Sequence, residues 1–337
     1  MKISSECLFC DWLTVSQTHM TKHTPHLDGY STITDQAGEI TRRSPLWKSL
    51  EGEHGSSIQI RSDGETVFVE GNPSRFNRSE NYHGLNLDQV KDLINQMLES
   101  VDLPPFTGGE LKQLSDGSQS YSGAIFSRID MTGNIKTGSP GNRETYLKYQ
   151  QTQEFPKLEK HLVGKNTYYG KESESRTILI YDKAHQLSEK VLKYTDEKEY
   201  IRELIAYCEA NGILRFETRY RRYLRTSNLR QWHRATHKNL TNKTIKDIDT
   251  MTPEIEAPDY GGIPNKALGT LLMYMAGLDV RQRLSHQTYY KHRKILKAFG
   301  YDISSRNIHL LQAKVKIITL EPAGVPEFYK HAKALEA

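Results

Sequence analysis

Charged and polar residues interrupt three short apolar segments of the sequence at alternate positions. The segments are residues 126–132 (FSRIDMT), 176–183 (RTILIYDK) and 214–219 (LRFETR). Because alternate residues of a β-strand point to the same face, each segment would present its polar residues on one side. The residues that would share a face are Arg128 with Asp130, Tyr181 with Lys183, and Arg215 with Glu217 and Arg219. If the three strands are neighbours, one sheet face carries two carboxylates, a phenol, a lysine and several guanidinium groups.

This set of side chains is suited to cleavage of a phosphodiester. The carboxylates of Asp130 and Glu217 could hold a Mg²⁺ or Mn²⁺ ion, which polarises a phosphate. The phenol of Tyr181 could then attack phosphorus, while Lys183 and nearby arginines neutralise the developing charge. Taken singly, each residue is better explained by a solvated sheet face with ion pairs, whereas the three segments together favour a catalytic site.

A second tyrosine competes with Tyr181 for the role of nucleophile. Tyr169 directly precedes a Gly-Lys-Glu-Ser loop, one strand upstream of Tyr181. A tyrosine at a loop is more mobile than one within a strand, and mobility would suit a group that must approach and leave its substrate. We therefore rank Tyr181 first and Tyr169 second.

Composition limits the class of protein. The chain has 337 residues with 36% hydrophobic and 9% aromatic content, which is enough for globular folding and suggests two domains. No apolar run reaches the roughly 18 residues of a membrane span, and the first residues lack the apolar stretch of a signal peptide. With three cysteines and no export signal, we expect a protein of a reducing cytosol.

Basic residues are concentrated in two runs, although the net charge is only +5. The first run holds Arg215, Arg219, Arg221, Arg222, Arg225, Arg230, Arg234 and Lys238, and the second holds Arg281, Arg283, Lys291, Arg293, Lys294 and Lys297. Aromatic residues lie within both runs. Charge runs are usually solvated faces, but basic runs with interleaved aromatics are also typical of nucleic-acid binding.

The pattern of elements predicts an α+β domain with a central antiparallel sheet over residues 1–225, followed by a mainly helical region over 226–337. The expected strands are 7–15, 57–61, 66–70, 124–132, 176–183 and 213–220, and the expected helices are 88–101 and 188–211. Residues 137–142 consist of turn formers and are predicted to be a loop.

Two further helices, 267–277 and 287–299, have the proportions of a helix-turn-helix unit. Ser285 is a candidate N-cap for the second helix, and Gly300 stands where a C′ glycine belongs. The side chains offered to a DNA groove would be Gln287, Tyr290, Lys291, Arg293 and Lys294. An ordinary amphipathic helix with a basic face explains the pattern equally well. Residues 307–320 alternate and could add a wing or a final strand.

The three strand segments occur in a fixed order with two others, residues 72–84 (NPSRFNRSENYHG) and 289–302 (YYKHRKILKAFGYD). In this order the sequence resembles the gene II-type replication initiators of filamentous phages and, more distantly, the rolling-circle initiators of plasmids. The resemblance implies a metal-dependent enzyme that nicks the plus strand of an origin, stays linked to the 5′ end through a phosphotyrosine, and later rejoins the strand.

The resemblance also assigns roles to individual residues. Tyr181 matches the family's nucleophile, and Asp130 and Glu217 fall where carboxylates are expected to bind the metal. The chain lacks the His-hydrophobe-His pair of better-known rolling-circle enzymes, which leaves a histidine ligand open. Arg128, Arg176, Arg215, Arg219 and Arg222 are expected to contact DNA.

The expected partners are origin DNA, as supercoiled duplex and single strand, together with a host helicase and polymerase in the bacterial cytoplasm. The chain could also self-associate on the origin. Two other functions stay open on the sequence: a non-catalytic repressor or origin-binding factor, and a metal-dependent nuclease that uses water. The first would bind without cutting, and the second would cut without leaving a covalent product.

Overall fold

The computed structural model describes residues 7–24, 29–251, 255–258, 262–275, 278–304 and 315–331. The chain divides into two compact units, one formed by residues up to 253 together with those from 320 onward, and a smaller one formed by residues 254–319. The two units are described separately below.

The elements are as follows. The strands are β1 (Leu8–Thr18), β2 (Tyr30–Thr34), β3 (Ile40–Pro45), β4 (Lys48–Glu51), β5 (Ser57–Ser62), β6 (Thr66–Gly71), β7 (Leu111–Gln113), β8 (Gln119–Tyr121), β9 (Ile125–Lys136), β10 (Lys160–Val163), β11 (Asn166–Tyr169), β12 (Arg176–Asp182), β13 (Ile213–Tyr220), β14 (Ile255–Pro258), β15 (Val315–Ile318) and β16 (Glu321–Pro322). The helices are α1 (Leu87–Glu99), α2 (Pro140–Thr152), α3 (Lys183–Lys190), α4 (Lys198–Asn211), α5 (Arg222–Thr226), α6 (His237–Met251), α7 (Asn265–Met275), α8 (Val280–Arg283) and α9 (His286–Ala298). Within the described ranges, no helix is both long enough and apolar enough to cross a membrane.

A ten-stranded sheet dominates the larger unit. Its order is β10-β11-β12-β13-β9-β1-β6-β5-β4, with β16 added to β9. Each of its described strand pairs is antiparallel. The α+β class and the antiparallel sheet are therefore confirmed. The three strands with alternating polar residues, β12, β13 and β9, are direct neighbours, as the predicted site requires.

Apolar side chains at the positions between the polar ones build the core of this sheet. Ile129 and Met131 of β9 and Phe216 of β13 are buried, in alternation with Arg128, Asp130 and Glu217. Strand alternation thus separates an apolar face from a polar one. A second buried cluster joins α3 and α4 to the start of β13 and includes Leu187, Ile201, Leu204, Cys208 and Ile213.

Three predicted boundaries are wrong for identifiable reasons. The strand expected over 176–183 ends at Asp182, whose carboxylate accepts a hydrogen bond from the His185 backbone and caps α3. The helix expected over 188–211 is two helices, which end and begin at Lys190 and Lys198. The loop expected over 137–142 contains the start of α2, with Ser139 as N-cap and a proline at the first helical position.

The expected domain boundary after residue 225 falls inside the larger unit. Helix α6 follows that position, and its Asp247 accepts two hydrogen bonds from Arg176 of β12, at 2.8 and 3.0 Å. This ion pair attaches α6 to the sheet. The sequence offered no signal for it, because the two residues are 71 positions apart.

Residues 320–331 return to the larger unit after the smaller one. Strand β16 pairs with the end of β9, and the backbone of Ala323 donates to the carbonyl of Asn134 at 3.0 Å. The hydroxyl of Tyr329 accepts from the backbone of His83 at 3.1 Å and donates to its carbonyl at 3.2 Å. The last described residues therefore hold the segment 72–84 in place.

The smaller unit contains α7, α8 and α9 around a core that includes Leu271, Tyr289 and Leu296. Ser285 accepts from the backbone of Thr288 at 3.2 Å, and Gly300 has a φ of +88°, so the predicted N-cap and C′ glycine are both confirmed. Strand β15, within the segment expected to form a wing or strand, pairs with β14. Residues 305–314 of that segment lie outside the described residues.

We expect Gly212→Ala to lower the free energy of unfolding by about 2 kcal/mol or more. Gly212 ends α4 with a φ of +59°, and an added Cβ would lie 2.2 Å from the carbonyl oxygen of Ser139. Urea denaturation measures the change. Gly141→Ala is the matched control, because no atom lies within 4 Å of its added Cβ. Equal stability of the two variants would contradict the packing described here.

Candidate active site

The register of β12, β13 and β9 brings the predicted catalytic residues onto one sheet face. Tyr181 pairs with Arg215, and Arg219 pairs with Asp130. Glu217 lies between them, opposite Thr132 of β9. The expectation that these three segments form one constellation is met by the strand order and by this register.

The phenol of Tyr181 is bound directly to the carboxylate of Glu217. Its hydroxyl donates to Glu217 Oε1 at 2.5 Å, and only 8% of Tyr181 is exposed. Burial raises the pKa of Tyr181 well above its ordinary value, and the charge of Glu217 raises it further, while Arg215 opposes the shift. Burial, and then the charge of Asp11, raise the pKa of Glu217. The pair is thus a nucleophile and a base already joined by a hydrogen bond.

Arg215 lies in the interior rather than on the DNA-facing surface. It is fully buried, and its Nε donates to Asn134 Oδ1 at 2.9 Å. Its Nη2 donates to the carbonyls of Asn81 and Tyr82, the latter at 2.8 Å. The predicted DNA contact is therefore wrong for this residue, because its side chain is enclosed. Its charge instead acts on Tyr181, whose pKa it lowers against the effect of burial.

Asp11 is a site residue that the sequence reasoning missed. It lies on β1 at a bulge, where the pairing of β1 with β9 shifts between Cys10 and Trp12. Its Oδ1 accepts from the amides of Asn72 at 2.9 Å and Asn81 at 2.8 Å. A bulge redirects one side chain out of the regular alternation. The only sequence signal was a single aspartate within an apolar strand.

Asp130 is neutralised by two guanidinium groups. Arg128 donates to both carboxylate oxygens, at 2.8 and 2.5 Å, and Arg219 donates to Oδ2 at 3.2 Å. Asp130 is 4% exposed and does not line the cleft that contains Tyr181. The structure therefore does not pair Asp130 with Glu217 at one metal site. In the described part of the chain, no three His, Cys, Asp or Glu side chains are grouped as a metal site.

Lys183 is the first residue of α3 and is fully buried. Its Nζ donates to Asn81 Oδ1 at 3.0 Å and to Gln186 Oε1 at 2.9 Å. Burial, and then the charge of Arg215, lower the pKa of Lys183 to about 7. Lys183 therefore lies next to the site but does not share a strand face with Tyr181, because the strand has already ended.

Tyr169 does not have the mobility expected of it. It is the last residue of β11, is 1% exposed, and its hydroxyl donates to the carbonyl of Gln150 at 3.0 Å. Its neighbour Tyr168 points the other way and lines the cleft with Tyr181. The strand continues up to the glycine, so the loop assumed in the sequence reasoning begins one residue later.

The cleft over Tyr181 has a volume of about 470 Å³. Asp11 and Glu217 lie within it, and its walls also carry Lys165, His185, Lys190 and Arg219. Cationic walls around two carboxylates and a phenol suit an extended polyanion such as a DNA strand.

Two other predicted DNA contacts differ in their surroundings. Arg176 lies on the opposite sheet face and is occupied by its ion pair with Asp247, which contradicts its predicted role. Arg222 keeps 70% of its side chain exposed, with Glu174 at 4.0 Å. Of the predicted arginines, Arg219 and Arg222 therefore remain accessible on the larger unit, and Arg128 is partly exposed above Trp12.

The predicted groove-facing residues of α9 are exposed within the smaller unit. Gln287, Tyr290, Lys291 and Lys294 face outward. Arg293 instead binds Asp302 at 3.3 Å and Ser304 at 2.9 Å, so part of its hydrogen-bonding capacity is occupied. The face is available for contact, and nothing in it distinguishes DNA from another anionic partner.

Two family models match the chain, and both describe phage replication-associated proteins of the gene II type. The model for the N-terminal part of these proteins covers residues 9–241, which includes every residue of the cleft. The chain belongs to this family. The model for the C-terminal part covers residues 263–335. The family match confirms the resemblance to gene II-type initiators that the ordered segments indicated.

Two relatives in this family are replication-associated proteins of phages. The protein of Escherichia phage If1 is 29% identical over 215 residues, which are 57% of this chain and 65% of the relative, so the match spans just under two thirds of that protein. The protein of Enterobacteria phage I2-2 is 23% identical and is matched over 95% of this chain and 96% of its own.

A solved rolling-circle replication initiator protein from Geobacillus stearothermophilus is 12% identical. The comparison covers 89% of this chain and 99% of that chain, with a TM-score of 0.28. At this TM-score the similarity supports no conclusion.

We expect Lys183→Met to change how stability depends on pH. In the folded protein Lys183 has a pKa of about 7, against an ordinary value of 10.5. Between these values the unfolded chain binds a proton that the folded chain does not, so Lys183 makes the free energy of unfolding rise with pH by up to about 1.4 kcal/mol per unit. Urea unfolding between pH of about 7 and 9.5 should show that Lys183→Met loses this slope.

Lys190→Met is the matched control, because Lys190 lies in the same helix and is exposed. It should keep the wild-type slope. An identical slope in wild-type protein and in Lys183→Met would contradict the lowered pKa.

Proposed function

We propose that this chain is a rolling-circle replication initiator that nicks an origin strand with Tyr181 as the nucleophile. The observation that carries the proposal is the 2.5 Å hydrogen bond from Tyr181 to Glu217, at the base of a cleft with cationic walls. Membership of the family of phage replication-associated proteins supports it independently. A phenol already hydrogen-bonded to a carboxylate has both the attacking atom and the acceptor for its proton.

The proposed step is a transesterification. Tyr181 Oη attacks phosphorus while its proton passes to Glu217 Oε1; the new Oη–P bond forms and the bond to the 3′-oxygen breaks. The 3′-oxygen takes up a proton and leaves as a hydroxyl, which can prime synthesis. Attack by a 3′-hydroxyl on the phosphotyrosine reverses the step and rejoins a strand. Arg219, at the cleft wall, is suited to neutralise the phosphate, and the charge of Arg215 favours the phenolate.

Asp11 and Glu217 are the residues that fit a divalent cation. Both line the cleft, and the charge of Asp11 raises the pKa of Glu217, as expected for two neighbouring carboxylates. Asp11 Oδ2 and Glu217 Oε2 receive no hydrogen bond from the described residues. Mg²⁺ commonly uses one or two carboxylates and completes its shell with water and substrate phosphate. A bound cation would polarise the scissile phosphate.

The function is tested by incubating the protein with labelled single-stranded and supercoiled origin DNA plus Mg²⁺. A protein–DNA adduct that survives denaturation is expected for the wild type and absent from Tyr181→Phe. Tyr169→Phe is the matched control and should form the adduct, since the Tyr169 hydroxyl is buried against Gln150. Cleavage without an adduct would favour a water-using nuclease, and binding without cleavage would favour a repressor.

The metal assignment is tested by comparing Asp11→Asn with Asp130→Asn. Asp11→Asn should weaken Mn²⁺ binding by about tenfold or more in calorimetry and abolish nicking. Asp130→Asn should keep Mn²⁺ affinity but lower the free energy of unfolding by roughly 2 kcal/mol, because two partly buried guanidinium groups lose their counter-charge. The reverse result would restore Asp130 as the ligand.

The exposed face of α9 supports a further part of the proposal, in which the smaller unit contacts duplex origin DNA. The clustered Lys291 and Lys294 would position the helix on phosphates, and Gln287 could read a base edge. A host helicase, a host polymerase and self-association on the origin stay predictions.

A further inference from the structure

A second pocket lies at the far edge of the large sheet from β12. It has a volume of about 280 Å³ and is formed between the β2–β3 hairpin and strands β4 and β5. Its walls combine guanidinium groups, Arg42 and Arg61, with the apolar side chains of Ile33, Leu46 and Trp47. No role for this pocket follows from the chemistry proposed at Tyr181.

The guanidinium of Arg61 is held between two aromatic rings. Its Cζ lies 4.5 Å from the ring centre of Trp47 and 4.2 Å from that of Phe68. Its Nε is buried and has no hydrogen-bond partner among the described residues. Stacking fixes the plane of the guanidinium but leaves its donors unused, and a buried donor without an acceptor is costly. An acceptor from outside the chain would satisfy it.

The charge around the pocket favours an anion. Among the described residues, no carboxylate lines the pocket, which carries two guanidinium groups. Burial lowers the pKa of Arg61, and the charge of Arg42 adds to that lowering, while Glu70 opposes it. A bound phosphate would offset the repulsion between Arg42 and Arg61.

The apolar part of the pocket is open to solvent. Trp47 is 37% exposed, Leu46 46% and Ile33 54%. Large apolar side chains gathered around two arginines are unusual on a surface without a partner. Flat aromatic rings beside guanidinium groups provide the two elements that bind a nucleotide, one for the base and one for the phosphate.

The pocket shares a sheet face with the candidate active site. Arg61 pairs with Phe68, which pairs with Ser16. Two residues earlier on β1, and therefore on the same face, Thr14 pairs with Arg128 of β9. Arg128 lies on the face of Asp130. Four strand spacings, about 19 Å in all, separate β5 from β13 along this face.

We propose that this pocket binds an unpaired nucleotide of the single-stranded DNA that crosses the sheet face, with the base on Trp47 and the phosphate on Arg42 and Arg61. The inference rests on the proposed function for the identity of the polyanion. It extends that function by adding a second point of contact, distant from the scissile phosphate, that holds the strand at the edge of the sheet.

The test measures binding of a labelled oligothymidylate to the full-length protein by fluorescence anisotropy, without Mg²⁺ and at several salt concentrations. Trp47→Leu should weaken binding by about tenfold and leave the salt dependence unchanged, because it removes stacking and no charge. Arg42→Gln should reduce the magnitude of the slope of log K against log salt by about 0.7, the value for one phosphate contact on a single strand.

Arg43→Gln is the matched control. Arg43 is the next residue on β3 and carries the same charge, but it stacks on Tyr30 at 4.0 Å and does not line the pocket. It should keep the wild-type slope. Equal loss of slope in Arg42→Gln and Arg43→Gln would mean general attraction to a basic surface and would overturn the pocket.

An oligonucleotide of the same length without bases separates stacking from an indirect effect on the fold. Wild-type protein should bind the abasic strand about tenfold more weakly than oligothymidylate, and Trp47→Leu should not weaken that binding further. If Trp47→Leu weakens binding to both strands equally, the nucleotide assignment is wrong. Adduct formation is scored separately with origin DNA, so a wild-type protein that forms no adduct would defeat the proposed function while the pocket is still judged by binding.

Discussion

Arg215 carries a full charge into the interior of the larger unit, and the geometry of the cleft depends on how that charge is accommodated. Its donors are taken by Asn134 of the neighbouring strand and by the carbonyls of Asn81 and Tyr82 in the segment 72–84. These contacts join the sheet to that segment at the level of Tyr181. A buried guanidinium is tolerated only where its partners are fixed, so the segment, the strand and the phenol are held as one arrangement.

The chemistry of the cleft follows from charges that are only partly balanced. Glu217 and Asp11 oppose each other, and both face a phenol whose pKa is raised by burial. Lys183, at a pKa of about 7, can gain or lose its charge near neutral pH beside them. A phosphate brings negative charge into this set and a divalent cation brings positive charge. The cleft is therefore suited to binding the two together, since each offsets the repulsion that the other would meet.

The parts of this arrangement that depend on local pattern could be predicted from the sequence. Alternation in β9, β12 and β13 indicated which polar residues share a face, and the order of the segments indicated the family. The role of Asp11 could not be predicted, because a bulge breaks the alternation and leaves no mark in composition. The burial of Tyr169 and Arg215 was missed for a related reason: both are set by partners from distant segments, Gln150 and Asn134.

The return of residues 320–331 to the larger unit makes the smaller unit an insertion rather than an appended tail. Strand β16 and Tyr329 complete the packing around Asn134 and His83, next to the segment that supplies Asn81 to the cleft. During synthesis, the ribosome releases the smaller unit before the residues that finish the larger one. The cleft is therefore assembled in full only after residue 329 has been translated, so a truncated or nascent chain would lack the support that holds its catalytic groups together.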